Sequence, residues 1–125
     1  MVESYLAQLR HKVRWAAEPD NPQLIMQWLE QERCCNLGSI SQAPCGCCST
    51  ARQRRRYHFQ FQLLLETVLD DLLPAHWRCS CLDHIYKPLC GLKQLCDNPA
   101  REAHVRRLYQ ELAISSRYVQ AGLVH

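Results

Sequence analysis

The chain has 125 residues, enough for one modest core and too few for two, and its 47% hydrophobic and 22% charged content excludes an intrinsically disordered polypeptide. No apolar run approaches the ~20 residues of a membrane span, and Met1-Val2-Glu3-Ser4-Tyr5-Leu6 lacks the basic-then-apolar order of a signal peptide, so a reducing compartment away from membranes is expected. The net charge of +3 is too mild to imply nucleic acid, but twelve of the fifteen cationic residues are arginine, and four of those crowd between Arg52 and Arg56.

In chain order, Val2, Leu6, Leu9, Val13 and Ala17 recur at helical spacing and predict a first amphipathic helix. Asp20-Asn21-Pro22 reads as the start of a second, with Asn21 as cap and Pro22 in the first turn, carrying Leu24, Ile25, Trp28 and Leu29 and ending near Arg33. Cys34 to Thr50 has no periodicity and reads as a loop. From about Ala51 to Leu73, the set Tyr57, Phe61, Leu64, Leu65, Val68 and Leu72 predicts a long helix stopped before Pro74. Asp97-Asn98-Pro99 repeats the earlier start signal and opens a last helix, with Val105, Leu108, Tyr109 and Leu112 as its buried stripe and fraying after Tyr118. The expectation is a mainly α fold, about four helices over residues 1–125, with cysteine-rich connections pinned by zinc.

Nine cysteines fall into two groups. In a reducing compartment clustered thiols serve more often as metal ligands than as disulfides. Cys79-Ser80-Cys81 lets one turn supply two ligands, and Cys90 and Cys96 can close a tetrahedral site, with His84 as a substitute for either. Four of these five residues are therefore a candidate zinc site, although Cys90 and Cys96 beside Leu89, Leu92 and Leu95 also suit ordinary core thiols. A second site can draw on Cys34 or Cys35 with Cys45, Cys47 and Cys48, and on His58. No zinc-deaminase pattern, phosphate loop or nucleophile elbow is present, so the chain is not expected to be an enzyme.

Arg52, Arg54, Arg55 and Arg56 stand at the start of the long helix, and Glu66, Asp70 and Asp71 near its end. The helix dipole favours the reverse order. Three explanations present themselves: a solvated charged face, antiparallel pairing of this helix in a homodimer, or phosphate binding with Tyr57, His58 and Phe59 as neighbouring rings, a mixture suited to RNA. Arg106, Arg107 and Arg117 offer a second basic surface on the last helix. A short arginine-rich run is also the usual composition of a nuclear or nucleolar address.

The layout from Cys34 to Cys96, an arginine-rich Arg52-Gln53-Arg54-Arg55-Arg56 followed by Cys79-Ser80-Cys81 with Cys90 and Cys96, resembles the cysteine-rich RNA-silencing suppressors of plant RNA viruses, in particular the small cysteine-rich proteins of benyviruses. The resemblance implies suppression of host silencing, binding of double-stranded or structured RNA through Arg52, Arg54, Arg55 and Arg56, zinc on Cys79, Cys81, Cys90 and Cys96, self-association, contact with host silencing proteins, and residence in the host nucleolus, nucleus and cytoplasm. The extra group from Cys34 to Cys48 departs from that pattern. The rival expectation is a zinc-pinned adaptor for host proteins whose basic run serves import alone.

Overall fold

The computed structural model describes residues 2–32 and 50–123, with side chains over 5–32 and 50–122. It is mainly helical, and the described residues contain no strand. Among the described residues six helical segments follow one another: α1 (Val2–Arg14), α2 (Gln23–Gln31), α3 (Thr50–Val68), α4 (Ala75–His84), α5 (Tyr86–Gln94) and α6 (Pro99–Leu123). α4 and α5 share Ile85 in helical geometry and form one helix with a break. Pro88 explains the break, since it has no N–H to offer the carbonyl four residues back and its ring crowds that carbonyl.

α3 lies at the centre, against α1, α4 and α5, while α6 packs on α5. The core is one cluster that joins Leu9 and Val13 of α1, Ile25 and Trp28 of α2, Phe61, Leu64 and Val68 of α3, Trp77, Cys81, Ile85, Leu89 and Leu92 of the broken helix, and Val105, Leu108 and Leu112 of α6. Each fully buried large apolar side chain stabilises by about 1.5–3 kcal/mol. Some of the polar groups carried inside find backbone partners. The Trp77 indole donates to the Val13 carbonyl at 2.8 Å, and Gln60 Nε2 donates to the Leu29 carbonyl at 3.2 Å.

Four boundaries differ from the sequence expectation. Residues 74–97 were expected to be a zinc-pinned connection and are instead largely helical, because Trp77, Cys81, Ile85, Leu89 and Leu92 form an apolar stripe that the dense cysteines, Gly91 and Pro88 obscure. α3 ends at Val68 rather than Leu73, since Arg78 Nε takes the Val68 carbonyl at 2.8 Å and the chain turns through Asp70, whose carboxylate accepts the Leu72 N–H at 3.0 Å. α6 runs to Leu123, past Tyr118. The repeated tripeptide works as a cap only once: Asn98 Oδ1 accepts the Arg101 N–H at 2.8 Å, whereas the Asn21 side chain reaches back to Glu18 and no side-chain cap closes α2.

α1 closes on Ala16 in the left-handed region (φ 52°), with the Ala17 N–H bonded to the Lys12 carbonyl at 3.0 Å, the C-terminal wrap that glycine usually supplies. α3 and α5 approach closely at Gly91. A Cβ there would stand 2.6 Å from the Tyr57 ring, so glycine is required for that ring to seat.

Candidate nucleic-acid interface

The first turns of α3 present the arginine run to solvent, flanked by a cleft on each side. The first cleft, about 420 Å3, is lined by Arg10, Glu32, Arg52, Arg55, Arg56 and Phe59. The second, about 570 Å3, is lined by residues that include Arg54, Arg55, His58, Phe59, Arg101 and His104. Arg55 and Phe59 belong to both and form the ridge between them.

Charge in the first cleft is one-sided. Among the described residues, four guanidinium groups face one carboxylate, that of Glu32, which forms an ion pair with Arg10. Glu32 is 1% exposed, and burial raises its pKa above the ordinary range against the opposing pull of Arg10 and, further off, Arg56. Its Oε2 is buried without a hydrogen-bond partner among the described residues, as is the Trp28 indole N–H. That N–H lies close enough to favour the charged form of Glu32, yet makes no bond of normal geometry with it. Phe59 is 40% exposed and stands between the Arg10 guanidinium, 5.2 Å from its centroid, and Trp28, edge-on at 6.5 Å.

The second cleft is built differently. Arg54 donates to the Leu95 carbonyl at 3.4 Å and to Asp97 at 3.2 Å, and Asp97 also pairs with Arg101. The Arg101 hydrogen bond chiefly holds the Asp97 carboxyl below its ordinary range, with the nearby Arg54 charge adding to it. Arg54 therefore ties the start of α3 to the α5–α6 corner. His58 of α3 stacks on His104 of α6 with centroids 5.4 Å apart. Burial, and then the His104 charge, push the His58 pKa below the usual imidazole value, partly offset by Glu111.

Of the residues expected to meet RNA, the structure brings Arg52, Arg55 and Arg56 to one cleft and gives Arg54 to the fold. Tyr57 is packed in the α3–α5 seam, and Phe59 is the ring that stands among the cations. Arg106, Arg107 and Arg117 are exposed on α6 and line neither cleft. Arg10, Glu32, Arg101 and His104 come to the site from other helices, with nothing local in their sequence to mark them.

The second cysteine group is dispersed. Cys79 and Cys90 are exposed, Cys81 is buried in the core, and Cys96 is half-buried with its thiol on the Leu92 carbonyl at 3.4 Å. Burial pushes the Cys81 thiol up to about 12. His84 Nδ1 is 2.8 Å from the Ser80 carbonyl. Among the described residues no three His, Cys, Asp or Glu side chains, Cys79, Cys81, His84, Cys90 and Cys96 included, form a group of the kind that holds a metal ion. Cys34, Cys35, Cys45, Cys47 and Cys48 lie outside the described residues.

No helix among the described residues is long and apolar enough to cross a membrane. Comparison with known proteins supplies no relative: no family model, curated protein or solved structure matches the chain.

Proposed function

We propose that the protein binds double-stranded or structured RNA through the arginine face at the start of α3 and, by covering it, shields that RNA from host silencing. The observation that carries this reading is the set of arginines lining one open cleft against, among the described residues, one carboxylate, at a helix end whose dipole disfavours cations. Arg55 is exposed, and neither it nor Arg56 makes an ion pair among the described residues. Guanidinium groups so arranged offer paired N–H donors to phosphate oxygens, and Phe59 and the histidine pair add flat surfaces for bases.

The test is affinity for a short RNA hairpin measured against salt. Log affinity should fall with log salt, and Arg55→Ala with Arg56→Ala should lower that slope by about 1 per arginine without unfolding the protein. A double variant with wild-type affinity and slope would refute the reading.

A further inference from the structure

We infer that the second cleft, between α3, α5 and α6, seats an unpaired base of the bound RNA, stacked on the His58–His104 ring pair while the arginine ridge holds the adjoining phosphate; this rests on the RNA-binding reading above. The two clefts differ in what they can hold. The first is walled mainly by guanidinium groups and suits phosphate. In the second, Arg54 and Arg101 already share the Asp97 carboxylate, and Phe59, Leu92 and Ala100 give the lining an apolar character that phosphate cannot use. Such a cleft accepts a flat, largely apolar group that follows a phosphate, and a nucleobase on its backbone is that group.

The rings are in place before the ligand arrives. His58 comes from α3 and His104 from α6, and their planes lie 29° apart with centroids at 5.4 Å. Both line the cleft, and His104 is exposed, so an entering base can extend the stack without first ordering the side chains. Arg55 and Phe59, about one helical turn apart, form the ridge common to both clefts. A strand whose phosphate sits on Arg55 therefore has the guanidinium-lined cleft on one side and the apolar one on the other. The volume of about 570 Å3 falls in the range of sites for small organic ligands. A base is free to enter only from a loop, bulge or end, and stacking accepts any of the four, since every base has a π-face.

The experiment compares two RNA hairpins with the same stem and the same number of loop phosphates, one loop carrying adenines and the other abasic ribose. The phosphates being equal, the difference in affinity reads the bases alone. The wild-type protein should bind the adenine loop at least about fivefold more tightly than the abasic loop. His104→Ala, at an exposed helix position that alanine suits, should bring the two within about twofold of each other and leave the affinity for the abasic loop at its wild-type value. Equal wild-type affinities for the two loops overturn the inference and leave the cleft to a partner other than RNA. An adenine-loop preference undiminished in folded His104→Ala protein overturns it too, because the base would then lie elsewhere. The wild-type comparison stands even if that variant fails to fold. Failure to bind either hairpin at low salt would instead defeat the RNA-binding reading itself.

Discussion

At and just past the C-terminal end of α3, each carboxylate has an arginine. Glu66 and Asp70 share Arg14, at 3.7 and 2.9 Å, and Asp71 holds Arg78 at 3.1 Å. At the N-terminal end, Arg54 has Asp97, while Arg52, Arg55 and Arg56 gather with Arg10 around one carboxylate. Both ends run against the helix dipole. The fold corrects the first by importing arginines from α1 and α4, whereas at the second neither Arg55 nor Arg56 has an ion pair among the described residues. The difference separates charges that hold the fold from the charges of Arg55 and Arg56. It also bears on the antiparallel homodimer, since the acids such a pairing would use are already engaged within the chain.

The largest effect is expected where charge is structural. Arg78→Ala strips the buried Val68 carbonyl of its donor and Asp71 of its partner, which should cost about 2 kcal/mol in chemical denaturation. RNA affinity should stay at the wild-type value below the melting transition, and a folded Arg78→Ala protein that had lost RNA binding would erase the contrast. Gly91→Ala addresses the other end, which is seated by the Tyr57 ring rather than by ion pairs. The added methyl must displace that ring, and overpacking of this kind costs about 1–3 kcal/mol. Unchanged stability would show that Tyr57 moves aside freely.

The smallest effect concerns pH. The His58 pKa is depressed in the folded state, so the unfolded chain takes up its proton first, and stability should fall as pH drops through about 6.5, the ordinary imidazole value, and below. His58→Gln should flatten that part of the Tm profile. Asp70, whose carboxyl Arg14 and the Leu72 N–H hold below its ordinary range, contributes stability present above about 3.8 and lost only in more acidic solution. An identical profile for His58→Gln and wild type between pH 7.5 and 5.5 would remove the histidine stack as a load on the arginine end.

The four helices expected from periodicity were legible because Leu9, Val13, Trp28, Leu64 and Leu108 repeat at helical spacing. The segments α4 and α5 were not, because Cys81 occupies a core position beside the exposed Cys79 and interrupts the look of an apolar stripe. Residue type drew the eye from a spacing that already required a helix. The arginines were legible as a group, but their division was not. Whether an arginine meets Asp97 or an open cleft depends on how α5 and α6 return to α3, which no local pattern encodes. Glu32 was the least visible, since its meaning comes only from Arg10, 22 positions earlier, and from the start of α3.

The Trp77 indole bonded to the Val13 carbonyl spans 64 positions, and Arg14 reaches Asp70 across 56. α1 packs on α2, its neighbour in sequence, but its C-terminal end is closed by residues far along the chain. Until α4 emerges, α1 has neither the indole that closes its C-terminal end nor the broken helix against which the core is completed, and ring closure over that length is slow. A chain that stops before residue 77 therefore keeps α2 and α3 against α1 but leaves the Val13 carbonyl without its indole donor.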